Sequence, residues 1–555
     1  MTQHHEPTET SALLAPPPTS ADASPIARLD GESNEAGGPK LSTLRLAVAT
    51  AALASLIFLQ ATGISLLSTI QTAIADDLQA YDSTTWFTSS YLIAMSSVGP
   101  LNGKLAIVFS PRICIVVSSI ILGLGTLVAG LSNTFTTFVV GRGICGVGSA
   151  GIFTISIILV LDLSSPERRG LGIGILNTGY TIGVAGGAIL AGALLPLIGW
   201  RWIFLMQTPL SMLAGVALFF SIPKDLGMSK QSTKSIGWQL ARLDYFGAIA
   251  LTASIVLLLY AASALEKIPV LPLALSLVTL TAFVLIELYW ASDPIIPVSL
   301  LTSRGLLLSC LAQIGYMMAR WSVLFYSPAY TIALRSWSPA VAGMMLIPTN
   351  TGFALGGILA GWLHIRRHAS YYWPTLTAYI IFPLTLIWLS ALTTGDSEIA
   401  WVILDVLICG LVTGAALNYN LAHVLYVTPK STHYVASSLL ATFRGFSASF
   451  GSAVGGGLFT RTLYQALTEG FAKEGLQKEK LVHQLLGAPA LVQSLEGIDR
   501  KVAIAGYEAA FSTLFLAGAG LAATMILLQA GTGWRAAPEE DDLDREVDDR
   551  DSTVG

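Results

Sequence analysis

The sequence predicts an all-α membrane protein with fourteen transmembrane helices, and three observations lead to that prediction. Of 555 residues, 53% are hydrophobic and only 12% are charged, whereas a soluble domain carries about 25% charged residues. Fourteen apolar runs have the length of about twenty residues that crosses a bilayer as a helix. A polar, cationic stretch at residues 224–243 interrupts them in the middle. We therefore expect two six-helix bundles and one additional pair of helices.

The apolar runs give the expected spans in chain order. They cover residues 45–74, 86–107, 112–131, 135–161, 171–196, 202–222, 244–264, 270–290, 306–329, 340–363, 372–393, 398–422, 433–460 and 503–530. Residues 1–43 are rich in Pro, Ser, Glu and Thr and lack an apolar core, so we expect a disordered tail and not a signal peptide. Residues 531–555 form an acidic tail.

These spans divide the chain into regions. Residues 44–223 form the N-terminal bundle, 224–243 the linker, 244–291 the additional seventh and eighth helices, and 304–530 the C-terminal bundle. Helices seven and eight are nearly featureless apolar runs, which suits surfaces that face lipid. Residues 462–502 form an exterior segment that is either a lid or a decorated loop, and the sequence favours the loop.

The cationic residues predict the orientation. With the N-terminus in the cytoplasm, the inner loops hold twelve Lys or Arg residues and the outer loops hold only Arg201, Lys267 and Arg335. Cytoplasmic loops carry the excess of cations in membrane proteins. Both termini are therefore expected in the cytoplasm.

Five different short motifs occur one after another along the chain. They are Trp86 and Tyr91 in the second span, Gly103-Lys104-Leu105-Ala106 with Pro111-Arg112 after it, Gly141-Arg142 with Gly146, Gly148 and Gly151 in the fourth span, Gly179, Gly183 and Gly187 before Trp200-Arg201-Trp202 in the fifth, and Leu243-Asp244-Tyr245-Phe246-Gly247 at the entry to the seventh. Together they resemble the major facilitator superfamily, specifically its fungal branch of 14-span drug:proton antiporters. The resemblance covers about residues 44–530 and implies the major facilitator fold. Conformational roles are implied for Gly103, Lys104, Arg112, Gly146, Gly179, Gly183 and Gly187.

Three positions depart from the family pattern. Ile107 stands where the loop after the second helix normally has an Asp, and Val184 stands where the fifth helix normally has a Pro. The first span offers Gln60 and Gln71, but no acid near Gly63. Proton antiport is therefore less firmly implied than the fold.

Charged residues inside apolar spans are costly and indicate function by default. Such residues are Arg142 in the fourth span, Arg320 in the ninth, Asp405 in the twelfth and Arg444 in the thirteenth. By the family plan, all four spans line the central cavity. Glu287 lies near the end of the eighth span, where we expect it to reach the membrane interface in a structural role.

Two of these charges have competing interpretations. The resemblance implies a proton or substrate relay for Arg142, and the alternative is a salt bridge or a cap on backbone carbonyls. Asp405 is the only acid in the middle of a core span, so it is the best candidate for a proton carrier. The alternative is a fixed ion pair with Arg320 or Arg444.

Uncharged polar residues complete the candidate pathway. They are Gln60, Gln71, Asn177, Asn350 and Asn418, with Gln313 and Asn420 beside them. Each is more often an interhelical hydrogen bond than a ligand contact.

The sequence contains no GxxxxGK[ST] loop, which argues against an ATP-driven pump. No metal spacing, cofactor motif or nucleic-acid-binding patch occurs, and we expect a monomer that is not an enzyme. The leading hypothesis is a secondary transporter that exports drugs or fungal metabolites with the proton gradient, in the plasma membrane or an internal one such as the vacuole. The alternatives are import or facilitated movement of an anionic nutrient or iron chelate, and a transport-dead receptor or sensor.

Overall fold

A computed structural model describes residues 42–163, 169–223, 244–262, 264, 269–291, 303–365, 370–429 and 433–533. Every regular element within those ranges is a helix, which confirms the all-α fold. Residues 1–41 of the expected N-terminal tail, the linker 224–243 and residues 534–555 of the acidic tail lie outside the described ranges.

The helices follow the expected order along the chain. The N-terminal bundle contains α1 (Thr43–Ser65), α2 (Leu67–Leu78), α3 (Thr85–Phe109), α4 (Pro111–Gly130), α5 (Phe135–Leu163), α6 (Arg169–Leu205) and α7 (Gln207–Ser221), with a 3-10 turn at Tyr81–Ser83. The additional pair is α8 (Tyr245–Ala262) and α9 (Val270–Tyr289). The C-terminal bundle contains α10 (Arg304–Arg335), α11 (Pro339–Gly343), α12 (Leu346–Ile358), α13 (Tyr372–Leu392), α14 (Ile399–Val427), α15 (His433–Lys473), α16 (Glu479–Gly487) and α17 (Gly497–Ala530).

Eleven helical stretches in the described part of the chain are long and apolar enough to cross a membrane. The remaining expected spans, the second, sixth and thirteenth, coincide with α3, α7 and α15. The fifth and sixth spans are joined through α6, which bends at Gly199, where φ is +75°. Glycine reaches that backbone conformation without the steric penalty that a side chain would bring.

The segment between the last two expected spans is largely helical. Residues 462–502 were expected to form an exterior loop, but α15 continues as a helix to Lys473 and α17 begins at Gly497. The connection between them, residues 474–496, contains α16 and a 3-10 helix at Pro489–Ser494. We call the end of the molecule that carries residues 474–496 the loop end, and the opposite end, where α1 begins, the tail end.

Glycines set the closest helix contact in the C-terminal bundle. A Cβ atom at Gly352 or Gly356 of α12 would overlap the backbone of α14, and one at Gly410 or Gly414 of α14 would overlap the backbone of α12. Both pairs have the four-residue spacing that lets membrane helices approach closely. The sequence shows this spacing, but only the glycines of the N-terminal half were singled out as a motif.

The two bundles are in contact from the middle of α3 and α15 to the loop end of α6. Ser96 of α3 and Ser449 of α15 lie 2.5 Å apart at their hydroxyl oxygens, and the Ser449 hydroxyl also donates to the Leu92 carbonyl at 2.7 Å. On the other side, Gly192 of α6 lies against Pro339 at the start of α11. These contacts close the junction between the bundles at the loop end.

The additional pair packs beside this junction. Leu251, Ile255 and Leu259 of α8 join one apolar cluster with residues of α3 and α15. Arg461 of α15 donates to the carbonyls of Ala262 and Ala264, at 3.1 and 3.0 Å. Glu287 of α9 was expected to reach the interface, but its side chain is buried.

Candidate functional site

A hollow lies between the bundles toward the loop end. Its N-terminal wall is polar, with Ser68, Thr69, Gln71, Thr72, Thr84, Thr85 and Thr88. Its C-terminal wall is aromatic, with Phe325, Tyr326, Phe459 and Tyr507. Pockets of this character bind small organic molecules when their volume is about 300–1,000 Å³. The hollow encloses about 80 Å³ in this conformation, so it must widen before it can hold such a molecule. Of the polar residues predicted from the sequence, Gln71 lines this hollow.

Residues 474–496 form the roof of the hollow. Leu486 and Pro489 line it from above, and Nδ1 of His483 lies 2.7 Å from Oδ1 of Asp82 in the N-terminal bundle. A Cβ at Gly487 would lie 2.7 Å from the Cα atom of Tyr81, so the segment lies directly on the turn after α2. This geometry supports the lid alternative over the decorated loop.

The turn at Tyr81–Ser83, below this roof, is also held by a hydrogen bond within the N-terminal bundle. The Tyr81 hydroxyl donates to Oδ1 of Asp76 at 2.5 Å. That hydrogen bond, with partial burial, raises the pKa of Tyr81 above its usual value. The hydroxyl therefore keeps its proton and continues to donate at physiological pH.

The buried cation of the N-terminal bundle is fully engaged with backbone. Arg142 on α5 is 1% exposed. Its Nε donates to the Phe87 carbonyl of α3 at 2.9 Å and its Nη2 to the Gly63 carbonyl of α1 at 2.7 Å. Its guanidinium also lies over the Tyr91 ring, 4.5 Å from the centroid. Arg142 thus ties three helices together, in the geometry of the carbonyl-capping alternative.

Gln60 belongs to the same cluster. The Tyr91 hydroxyl donates to the backbone carbonyl of Gln60 at 2.9 Å. The side-chain Nε2 of Gln60 lies 3.8 Å from the Met95 sulfur. The Gln60 Oε1 is buried without a hydrogen-bond partner among the described residues. One predicted polar residue therefore lies beside Arg142 with an unused acceptor.

A second arginine cluster closes the loop end of the N-terminal bundle, and sequence reasoning missed its acid. Arg201 forms an ion pair with Asp77 of α2 and donates to the Ser132 carbonyl at 3.1 Å. The Trp200 indole nitrogen donates to the same carboxylate at 3.2 Å. The Trp200-Arg201-Trp202 motif signalled the cation, and Asp77 sits at the end of an apolar run as its available partner.

The C-terminal bundle holds a cation with fewer partners. Arg320 on α10 is 2% exposed. Its Nη1 donates to the Thr349 hydroxyl of α12 at 3.0 Å, and its guanidinium lies 4.9 Å from the centroid of the Phe353 ring.

Asp405 on α14 has the least satisfied side chain of the predicted site. It is 0% exposed, and neither carboxyl oxygen has a hydrogen-bond partner among the described residues. Among the ion pairs between described residues, none joins Asp405 to Arg320 or Arg444, so the fixed-pair alternative does not describe this conformation. Cys409, one turn further along α14, lies close enough to Arg320 and Asp405 to interact electrostatically with both.

Three other predicted residues lie elsewhere in the bundle. Arg444 of α15 is half-buried and lies within electrostatic reach of Tyr180 on α6, across the junction between bundles. Asn350 of α12 has a buried amide nitrogen without a described partner. The Asn418 amide donates to the Gly414 carbonyl of its own helix at 3.1 Å.

The residues with a predicted conformational role differ in what surrounds them. Gly146 lies against α3 at Tyr91, while Gly183 and Gly187 lie against α1 at Ala61 and Thr62. Gly179 has open space around it, and Arg112 lies over the Phe219 ring at 4.2 Å. The side chains of Lys104 and Asn177, and the surroundings of Gly103, lie outside the part of the chain that the structure describes.

Comparisons with known proteins identify a family of transporters that share this architecture of two bundles. The family model of the Major Facilitator Superfamily matches residues 53–452. The chain is 31% identical to the Vacuolar basic amino acid transporter 1 of Saccharomyces cerevisiae, over 64% of this chain and 62% of that protein. It is 27% identical to the MFS-type efflux pump LUC4 of Fusarium sp, over 83% of each chain.

The fold is similar to that of solved transporters. The crystal structure of a bacterial homolog to the human lysosomal transporter Spinster, inward-facing and unoccupied, matches with a TM-score of 0.59 at 14% identity, over 88% of this chain and 98% of that one. At that identity the likeness concerns the fold alone. The matched family model covers well over half of this chain. The protein therefore belongs to the major facilitator superfamily and is a multi-pass membrane transporter, not an enzyme.

Proposed function

We propose that this transporter exports small amphipathic organic molecules from the cytoplasm and that protons drive the export. The observation that carries proton coupling is the unpartnered Asp405 carboxyl group. The amphipathic hollow supports the substrate class, because one wall offers hydroxyl groups and the other offers aromatic rings. The printed name of the Fusarium relative, an efflux pump, agrees with export.

The proton step follows from the cost of burial. An isolated carboxylate is far more costly to bury than a neutral carboxyl group. Asp405 is therefore protonated in the conformation described here, which is closed at the loop end. Losing that proton requires an environment that stabilises the anion, and the alternation between two conformations supplies the change.

Arg142 has a different role in this proposal. Two backbone carbonyls and an aromatic ring already satisfy its charge, so it positions α1 and α3 and does not carry a proton. The excess of cations in the loops at the tail end supports a cytoplasmic location for that end. We propose the plasma membrane, with a vacuolar membrane as the alternative that the yeast relative's printed name suggests.

The experiment uses inverted plasma-membrane vesicles that acidify their lumen. Accumulation of rhodamine 6G in the lumen reports export, and an uncoupler is added to collapse the proton gradient. The parent is expected to accumulate the dye until the uncoupler is added. Asp405→Asn is expected to lose accumulation but to retain dye exchange across the membrane. Asp396→Asn, which changes an exposed acid at the loop end, is the matched control and should match the parent.

Three results would contradict parts of the proposal. Accumulation that persists in the parent after the uncoupler would remove the proton gradient as the energy source. Normal accumulation by Asp405→Asn would remove Asp405 as the carrier. Absence of dye movement in the parent, while a panel of other amphipathic cations also fails, would remove the substrate class.

One observation favours a second candidate, the movement of an anionic nutrient or iron chelate. Arg444 faces Tyr180 across the bundle junction and is half-buried, which suits an anion held between the bundles. Uptake of ferric citrate by cells that express the parent, lost in Arg444→Gln, would support this candidate. Equal uptake by cells with and without the protein would exclude it.

A further inference from the structure

Two buried helix faces in the C-terminal bundle carry polar residues at helical spacing. On α10 they are Ser309, Gln313, Tyr316 and Arg320, and on α14 they are Asp405, Cys409, Thr413, Asn420 and His423. Residues three or four apart lie on one face of a helix, so each set forms a single stripe. We call the two facing stripes the α10–α14 seam. Every one of its residues is at most 4% exposed.

The two helices are antiparallel, and residues of one stripe lie beside residues of the other in successive pairs. The Asn420 amide donates to Oε1 of Gln313 at 2.8 Å. One turn toward the loop end, Tyr316 lies beside Thr413. The next turn brings Arg320 close to Cys409, which is followed by Asp405. The seam is therefore continuous from its middle to the carboxyl group.

The seam also reaches the tail end. Nε2 of His423 lies 3.1 Å from the Thr532 hydroxyl, at the end of α17. From Asp405 to His423 the chain advances 18 residues along α14, or about 27 Å at the rise of an α-helix. That length is close to the thickness of the hydrocarbon core of a bilayer.

Polar atoms along the seam lack protein partners. Among the described residues, no hydrogen bond satisfies Ser309 Oγ, Asn420 Oδ1 or either carboxyl oxygen of Asp405. Buried polar atoms are nearly always hydrogen-bonded, to protein or to ordered water. Polar residues that only hold helices together would satisfy one another, as Gln313 and Asn420 partly do. Unsatisfied atoms near both ends of the seam and in its middle indicate sites for water instead.

We propose that the α10–α14 seam holds a file of water molecules and is the route by which Asp405 releases its proton to the tail end. The proton route then runs inside the C-terminal bundle, apart from the hollow between the bundles that takes the organic substrate. The role of Asp405 rests on the proposed function, whereas the water content of the seam does not.

The charges balance along this route. The O–H bond of the Asp405 carboxyl group breaks, and its proton passes to the adjacent water while each following water and hydroxyl group hands on one proton. At the tail end one proton enters the aqueous phase, and every group between regains its original charge. Arg320 remains as the cation nearest to the new carboxylate and offsets its charge.

The first test measures water without any substrate. Pulsed X-ray radiolysis of the parent in lipid nanodiscs generates hydroxyl radicals from water, and mass spectrometry locates the oxidised side chains. Tyr316 lies in the seam and Tyr91 in the N-terminal bundle, and both are 0% exposed, so rapid oxidation of either ring requires water inside the protein. Tyr316 is expected to be oxidised several-fold faster than Tyr91. Equal rates would show a dry seam and overturn the proposal while leaving Asp405 as a carrier.

The second test interrupts the route. Gln313→Leu fills the middle of the seam with an apolar side chain and should slow proton release about tenfold, followed by pyranine fluorescence in proteoliposomes. Rhodamine 6G exchange at equal pH should remain. Gln207→Leu is the matched control, since Gln207 of α7 is also buried but its described side-chain hydrogen bond goes to the Ile203 carbonyl of α6, away from the seam. Gln313→Ser, which leaves room for water, should restore most of the rate.

The outcomes separate this proposal from the proposed function. Equal proton release by Gln313→Leu and Gln207→Leu would overturn the route even if Tyr316 is wet. Normal coupling in Asp405→Asn would overturn the carrier role and with it the route, but it would not change the oxidation of Tyr316. Size-exclusion profiles confirm that each variant is folded before it is scored.

Discussion

The two bundles bury their charges in opposite ways. In the N-terminal bundle, Arg142 donates to carbonyls of α1 and α3 and lies over an aromatic ring. In the C-terminal bundle, Asp405 is at least as deeply buried, but neither of its oxygens has a partner among the described residues. A group held by two hydrogen bonds to backbone stabilises one arrangement, whereas a group without a described partner is free to change its protonation state.

We propose separate tasks for these two charges, both of which stand inside apolar runs of the sequence. A cation fixed to backbone contributes to the stability of its bundle in each conformation that preserves those helix contacts. A neutral carboxyl group contributes little stability and responds to the conformation of its surroundings. The comparison therefore predicts an inverse relation between the effect of a substitution on folding and its specific effect on proton coupling.

The largest loss of stability is expected for Arg142→Ala. The change removes two hydrogen bonds from a charged donor, each worth about 1.5–3 kcal/mol, so the protein should lose roughly 3 kcal/mol or more. Thermal unfolding of the purified protein, followed by intrinsic fluorescence, measures the loss. Transport should fall with the amount of folded protein.

Two variants control that measurement. Arg500→Ala removes an exposed arginine and should leave the melting temperature unchanged. Arg142→Lys keeps the charge, but a lysine lacks the planar fork that reaches two acceptors, so it should be intermediate. An Arg142→Ala protein that melts with the parent would show that the arginine does not tie the helices together.

A smaller loss is expected for Arg320→Ala. Arg320 donates one described hydrogen bond, to Thr349, where Arg142 donates two. Its removal should cost about half as much, near 1.5 kcal/mol, and transport should be impaired less than in Arg142→Ala. The same melting experiment decides the order of the two variants. A larger loss for Arg320→Ala would reverse the contrast between the bundles.

The next effect concerns the contact that both bundles share at the loop end. His483 and Asp82 are 33% and 49% exposed at their side chains, and such surface pairs contribute about 0–1 kcal/mol. His483→Ala should thus leave the melting temperature nearly unchanged. Spin labels on the two bundles at the loop end should nevertheless show a larger population of separated distances.

Glycine substitutions sharpen this test of the loop-end contact. Gly487→Leu places a side chain against Tyr81 and should separate the roof from the turn more than His483→Ala does. Gly520→Leu is the matched control, because a Cβ there meets open space. If Gly487→Leu and Gly520→Leu give the same distance distribution, residues 474–496 are not a lid.

The sequence alone predicts the helical fold well, because the apolar runs and the glycine spacing act locally. It also identifies Arg142, Arg320 and Asp405, since a charge in an apolar run is visible without coordinates. It does not predict their partners. Gly63, Phe87 and Thr349 contribute backbone or hydroxyl groups that occur at most positions of any helix.

The loop end shows the same limit. Residues 474–496 carry no motif, and their role follows only from contacts with Asp82 and Tyr81, some 400 residues earlier in the chain. The α10–α14 seam was within reach of sequence reasoning, because its residues repeat at three- and four-residue intervals. The sequence does not show that the two stripes face each other, because the pairing of α10 with α14 depends on tertiary packing.

The smallest effect on stability is expected for Asp405→Asn. Since no described hydrogen bond or ion pair is lost, the melting temperature should stay the same or rise, because removing an ionisable group from a buried site also removes the cost of charging it. Melting curves at pH 5 and pH 8 test this directly. The parent should be less stable at pH 8 than at pH 5, since an Asp405 anion destabilises this conformation, and the variant should lose that dependence. A marked destabilisation of Asp405→Asn at both pH values would mean that the carboxyl group has a structural partner, and the contrast between a fixed cation and an exchangeable acid would no longer hold.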